Sequence, residues 1–442
     1  MKNSIIRHSV ALWLFLPTVY CLLSTSFCEA QNDVLKYAHQ IVDTLASPSM
    51  HGRGYVLKGD SIAADYIKKE FERFGVKPIG KEFYQKFSFP VNTFPGNIYI
   101  SYKKIIYEGD FEAGTGFRIN PASPTIKGKY KWIEIDSALL NDQRKIKSRA
   151  RNRFIVIDTS GLHNKEQKNK YEILINHAPK NSKGVIVVTQ RGSAFSYPWE
   201  MSLFQNQYPI IETPFKPGLK KIFVQIEAKF IPNYTSQNII GYIEGTQHPD
   251  SFIVFSSHYD HLGEIGGTFC CEPMYFPGAN DNASGCAMLL NLVKYYSQHP
   301  PKYSVAFFAF GAEEMGLLGS DYYVQHPLFP LKQIKFLVNF DIVGTGDEGI
   351  KVVNATEHKK EFDELVQLNS KKNLLPSVQP RGKAGISDHY FFEEAGVKAF
   401  YIYTLGGIKA YHDIYDRAET LPLTKFEELY KLVIDFENYL EK

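Results

Sequence analysis

Metal-capable and proton-moving side chains recur in this chain where short apolar runs give way to polar residues. His258 and Asp260 follow the run from Ser251 to Ser257, Glu313 and Glu314 follow Tyr303 to Phe310, and Asp341 closes Phe336 to Phe340. Asp281 sits in the turn Gly278-Ala279-Asn280-Asp281-Asn282, and His412 lies in the loop beyond Val397 to Tyr403. Two divalent ions held roughly 3.5–4 Å apart need a shared anionic ligand to offset their repulsion, and a carboxylate is the side chain that can bridge. Asp281 is the natural bridge. His258 and His412, with Glu314 and Asp341, then supply one imidazole and one further acid per ion, a nitrogen and oxygen mixture that suits two Zn2+ ions per chain. Glu313, next to a ligand without being one, is placed to take a proton as general base. Asp260 is expected to join Glu313 in catalysis as the acceptor that fixes the His258 tautomer.

The elements that must position these residues are legible in the same segments. The four runs are near-continuously apolar, as parallel strands covered on both faces are. Helical periodicity fills the stretches between them, notably Cys286 to Tyr296, Phe362 to Leu368 and Phe426 to Leu440. Alternating strands and helices imply an α/β fold with a mostly parallel (mixed) sheet sandwiched by helices. Such sheets bind ligands outside the carboxyl ends of their strands, where these side chains fall. Two more amphipathic helices are expected around Val34 to Leu45 and Ile62 to Phe74, parted by the Gly52-Arg53-Gly54 turn. Between Asn97 and Tyr234 the character changes to short β-type runs among Lys- and Asn-rich stretches, which suggests a smaller β-rich inserted domain. The expected organisation is a leader over 1–30, an N-terminal part of the catalytic domain over 31–96, the insert over 97–234 and the main catalytic domain over 235–442.

The ordered segments His258-Tyr259-Asp260, Gly278 to Gly285, Glu313-Glu314, Asn339-Phe340-Asp341 and Tyr411-His412 resemble the motifs of the secreted di-zinc aminopeptidases, relatives of glutamate carboxypeptidase and glutaminyl cyclase. The resemblance runs from about Asn238 to the end of the chain. It implies a zinc exopeptidase fold, one zinc on His258 and Asp341, the other on Glu314 and His412, Asp281 bridging, Glu313 as base, and peptide substrates cleaved at the N-terminus. The stretch Phe154 to Ile211 is similar to a protease-associated insert. Each residue alone has a blander reading: a loop histidine, acids at a helix start, an N-cap at Asp281. Those readings do not account for the whole set appearing in order at strand ends. Alternatives from other classes are a glutaminyl cyclase-like or carboxypeptidase activity, and a peptidase-like binding module without catalysis. The last should lack a ligand or the base, and none is missing.

Composition narrows the remaining choices. With 442 residues, 44% of them hydrophobic and 14% aromatic, the chain has ample core material for two lobes. A net charge of +3 gives no field that would select nucleic acid. Lys2 and Arg7, the apolar run Val10 to Leu23, and the small residues Cys28 and Ala30 read as a cleaved signal peptide. That run is shorter than the roughly 20 apolar residues a membrane span needs. A secreted or periplasmic protein with no stable membrane anchor is therefore expected. Beyond residue 30 the cysteines are Cys270, Cys271 and Cys286, too few for a disulfide framework or a four-thiolate zinc site.

Overall fold

In the computed structural model, which describes residues 33–103, 108–111, 116–162, 164–190, 200–218, 221–266 and 274–442, the apolar runs pair into a nine-stranded mixed sheet. Its strands are β1 (Lys77–Pro78), β2 (Tyr84–Thr93), β3 (Lys229–Ile243), β4 (His248–His258), β5 (Tyr303–Phe310), β6 (Ile334–Phe340), β7 (Gly349–Val353), β8 (Val378–Pro380) and β9 (Ala399–Leu405). They lie in the order β1-β3-β5-β4-β6-β9-β7-β8, with β2 also paired to β3. The central strands β5, β4, β6 and β9 are parallel, as expected. The flanks are mixed: β3 runs antiparallel to β1, β2 and β5, and β7 antiparallel to β9 but parallel to β8. Parallel pairing thus dominates only where helical crossovers return the chain to the same edge.

Alternation along the central strands explains why they read as unbroken apolar runs. Ile253, Phe255, Val305, Phe307 and Val338 face one core, while Val254, Ala306, Phe308 and Leu337 face the other. The first core is covered by the helix over 33–45 and by helices Gly59–Arg73, Ser284–Gln298, Lys359–Lys372 and Phe426–Leu440. The second is closed by Leu318–Gln325 and His389–Glu394 through Tyr323 and Phe392. Both faces of β4, β5 and β6 are dry, so their polar residues are forced to the strand ends.

A second sheet of eight strands is built from residues 98–226. Two helices, Gln143–Arg149 and Lys165–Asn176, occupy stretches that looked merely polar in sequence. Each starts with a side-chain cap, Asp142 accepting from the Lys145 N–H and Asn164 from the Gln167 N–H. One sheet face packs Ile155, Ile157, Val185 and Val187 against Tyr171 and Leu174 of the second helix. The opposite face, with Phe154, Val156 and Ile186, shares its core with Leu262, Ile265 and Phe276, which belong to the loop after β4. The stem joining the two sheets is the β2–β3 pairing, which begins at Lys229↔Thr93 and breaks register between Ile231 and Tyr234. Pro232 falls in that break, where its missing N–H costs no ladder bond.

Candidate metal centre

The ends of β4, β5, β6 and β9 converge as the sequence implies. His258 is the last residue of β4, Glu313 lies three residues past β5, Asp341 immediately follows β6, and His412 stands in the loop beyond β9. Asp281 enters from the turn that opens helix Ser284–Gln298. Its carboxylate is split between two partners: Oδ1 is 3.3 Å from His258 Nε2, and Oδ2 is 3.3 Å from His412 Nε2. His258 Nε2 is also 3.4 Å from Asp341 Oδ1, and His412 Nε2 is 3.0 Å from Glu314 Oε2. Four ligands at the usual zinc bond lengths of about 2.0–2.1 Å stand about 3.3 Å apart along tetrahedral edges. The separations seen are those of donors facing a common centre. All five side chains, with Glu313, are at least 85% withdrawn from solvent.

The charge balance of this pocket calls for cations. Asp281, Glu313, Glu314 and Asp341 converge within it, and Asp260, Asp388 and Asp416 are buried behind it. Such a concentration of carboxylates in a low-dielectric interior is costly unless divalent ions or protons offset it. Burial would by itself raise Asp281, but hydrogen bonds from His258 and His412 hold it well below the ordinary carboxylate range. Glu314, opposed by burial and by the Asp281 charge, is nonetheless held down to about 2 by His412 and His261. Burial pushes Glu313 in the other direction, well above its usual value, helped by Asp341 and Glu314. The donor set, its spacing and its excess negative charge fit a pair of divalent ions.

The histidines carry the balancing protons in the metal-free chain. Burial alone would lower both, yet Glu313 and Asp341 lift His258 well above the imidazole range, and Glu314 with Asp281 lifts His412 to about 11. A metal needs the neutral ring, so loading must expel these protons. We expect zinc binding at about pH 7 to release about two protons for two ions, read by calorimetry in buffers of different ionisation enthalpy. Chelator-competed affinity should keep rising from about pH 6 to about pH 8, whereas histidines at the unperturbed value near 6.5 would level off. A plateau above about pH 7 with no proton release would contradict the pairing of these rings with the carboxylates.

Asp260 differs from its expected role. His258 Nδ1 faces the Asp260 main-chain carbonyl at 3.2 Å, and the carboxylate is farther, at 3.8 Å. That carboxylate instead accepts the backbone N–H groups of Glu313 and Glu314 at 3.0 and 3.4 Å, and the Tyr55 hydroxyl at 3.2 Å. Its place is thus behind the cavity, pinning the turn that carries the two glutamates. The displacement follows from the strand end: Tyr259 pairs with Phe310 through its N–H, which turns the next side chain toward β5.

Several residues that hold the centre in place carried no local signal. Arg53 is fully buried and spends its guanidinium on five carbonyls, those of Leu45, Tyr259, Pro277, Gly278 and Asp281. Asp416 grips the same turn from the other side, accepting the N–H groups of Asn280 and Asp281. Gly278 is required between them: its φ is +59°, and a Cβ there would lie 2.2 Å from the Asp281 carbonyl oxygen. His261 Nδ1, 2.7 Å from Glu314 Oε1, orients that ligand. Asp341 is steadied through Ser387, whose hydroxyl donates to Oδ2 at 2.7 Å and accepts from Asn339 Nδ2 at 2.8 Å. Ala312, Ile342 and His412 all have positive φ beside the cluster, a strained arrangement for the β-branched Ile342 that is typical of functional sites. Beside the cluster opens a cavity of about 340 Å³, walled by Ile342, Tyr401, Tyr403 and Arg381. Cys270 and Cys271 lie outside the described residues, as does the segment 1–30. Cys286 is a free, buried thiol directed at the His258 carbonyl.

A helix-covered mixed sheet with this ligand arrangement at its strand ends has the architecture of the zinc exopeptidases. Residues 238–436 match Peptidase family M28. Aminopeptidase YwaD of Bacillus subtilis (strain 168) is 30% identical over 236 residues, 51% of this chain and 49% of that protein. A vacuolar membrane protease of Candida tropicalis is 26% identical over 52% of this chain and 24% of its own length. The chain thus spans about half, or less, of these curated relatives. Among solved structures, BSAP, a zinc aminopeptidase from Bacillus subtilis, superposes with a TM-score of 0.64 at 20% identity, over 91% of this chain and 94% of that one. A peptidase M28 precursor from Shewanella amazonensis gives 0.61 at 15% identity, over 93% and 96%. These superpositions establish a shared fold across both sheets.

Proposed function

We propose that this chain is a co-catalytic zinc aminopeptidase that removes N-terminal residues from peptides outside the cytoplasm. The observation that carries the reading is the Asp281 carboxylate, with one oxygen toward His258 and the other toward His412. In this reading His258 and Asp341 hold one ion, Glu314 and His412 the other, and Asp281 both. The ions, when bound, would polarise the scissile carbonyl and lower the pKa of water. The remaining work falls to the chain. Glu313, held by Asp260 through its own N–H, takes a proton at its carboxylate and returns it to the departing amine. The 340 Å³ cavity beside the cluster is large enough to take part of a peptide substrate. The 1–30 segment supports export, and the separate sheet of residues 98–226 supports reading 97–234 as an inserted domain.

The relatives named as aminopeptidase and zinc aminopeptidase favour this activity over cyclisation or carboxypeptidase action. Its test is metal removal. The protein as purified should hold about two zinc ions per chain and hydrolyse an aminoacyl-anilide. Exhaustive chelation should abolish that hydrolysis, and zinc or cobalt should restore it. Hydrolysis that persists in protein shown by emission spectroscopy to be metal-free would overturn the assignment.

A further inference from the structure

The cavity beside the metal centre contains a cation that no carboxylate of the described residues neutralises. Arg381 follows β8, and its backbone is fixed on both sides: its N–H donates to the Val352 carbonyl at 2.8 Å, and its carbonyl accepts from the Ala355 N–H at 3.1 Å. The side chain reaches back over β9. Nη1 donates to the Tyr403 hydroxyl at 3.0 Å, and the guanidinium lies 5.9 Å from the centroid of that ring. This is the one side-chain hydrogen bond Arg381 makes among the described residues, so most of its N–H groups are left for a ligand. It is only half-buried, and it lines the same cavity as His258, Asp281, Glu313 and Asp341.

Charge bookkeeping makes that arginine informative. If ionised, Asp281, Glu313, Glu314 and Asp341 would offset two divalent ions, so a loaded centre leaves little excess negative charge among these four groups to pair with Arg381. Arg381 then stands as the uncompensated charge of the cavity. A guanidinium fork is shaped for a carboxylate, and the hydrogen bond to the Tyr403 hydroxyl pre-orients it, which lowers the entropy lost on binding. Ile342 and Tyr401 offer apolar walls for the methylenes between such a carboxylate and a peptide backbone. A site meant for an aliphatic residue would gain nothing from an unpaired cation on its wall.

Resting on the aminopeptidase reading, we propose that Arg381 binds a carboxylate of the substrate, so that the preferred peptides place an anionic group in this cavity. Two sources share that chemistry: an acidic side chain on the terminal residue, and the free C-terminal carboxylate of a short peptide. Comparing glutamyl with glutaminyl anilides tests the first, because the pair differs only in charge. Comparing a dipeptide acid with its amide tests the second. In the wild-type protein at least one charged member should be preferred by about 10-fold or more in kcat/KM, and Arg381→Met should lower that ratio by about 10- to 100-fold. The ratio that falls identifies the source. Arg381→Glu should reverse the charge preference toward a lysyl anilide. Zinc content and thermal unfolding of each variant control for misfolding. Calorimetric binding of free glutamate against glutamine, and of a dipeptide acid against its amide, to the zinc-loaded protein gives a readout independent of turnover, in which Arg381→Met should weaken the charged member of at least one pair by about 10-fold more than its neutral partner. A wild-type protein that cleaves no reporter would overturn the aminopeptidase reading but not the arginine's role, which the binding arm still decides. Charge ratios and charged-ligand affinities that are the same in Arg381→Met and wild type would overturn the proposal.

Discussion

Glu313→Gln is expected to retain about two zinc ions per chain while lowering kcat by about 10²- to 10⁴-fold, the usual range for general acid–base assistance. The side chain lies 4.0 Å from His258 Nε2 and faces the ligand cluster without pairing to either imidazole as closely as the other acids do. In the metal-free chain burial, Asp341 and Glu314 raise its carboxyl well above the ordinary range. Glutamine keeps the volume and the Asp260-anchored backbone but cannot accept the proton. Emission spectroscopy on the purified variant separates this outcome from metal loss. A variant that keeps its metals and its full rate would remove Glu313 from the chemistry.

The chemistry-bearing residues were legible because each sits where a buried strand must stop being apolar. β4, β5 and β6 are packed on both faces, so His258, the Glu313-Glu314 pair and Asp341 stand out at their ends. The sheet flanks were harder to read. β2 and β3 alternate and carry a register break at Pro232, so their sequences look like those of the insert rather than of the central strands.

What escaped the sequence is the support of the centre, and the reason is distance along the chain. Arg53 holds carbonyls more than 200 residues away, and its neighbours Gly52 and Gly54 signal only a turn. Asp416 and His261 act on Asp281 and Glu314 through contacts that no local periodicity encodes. Asp260 shows the converse case. Its spacing from His258 suggested a partner for that ring, but the backbone pairing of Tyr259 directs the carboxylate to the Glu313-Glu314 turn. Short spacing identifies neighbours; the hydrogen-bond needs of the intervening backbone decide which way they point.

Asp281→Asn should separate metal bridging from everything else the turn does. The turn itself is fixed through main-chain groups, the Asp281 N–H on Asp416 and the Asp281 carbonyl on Arg53, so the substitution leaves the backbone anchors intact. An amide offers one oxygen where the carboxylate offers two, and it carries no charge to offset the repulsion of two ions about 3.5–4 Å apart. Zinc should therefore fall from about two ions to about one per chain. The several kcal/mol of charge stabilisation that a second ion supplies corresponds to a loss of at least about 10³-fold in kcat. Excess zinc should not restore the rate, because the missing element is the shared ligand rather than occupancy by mass action. The comparison with Glu313→Gln is the decisive one, since that variant loses rate with its metals in place whereas Asp281→Asn loses rate together with a metal. If Asp281→Asn instead binds two ions and turns over normally, the split of its oxygens between His258 and His412 is a packing feature, and the bridge must be sought among Glu314 and Asp341.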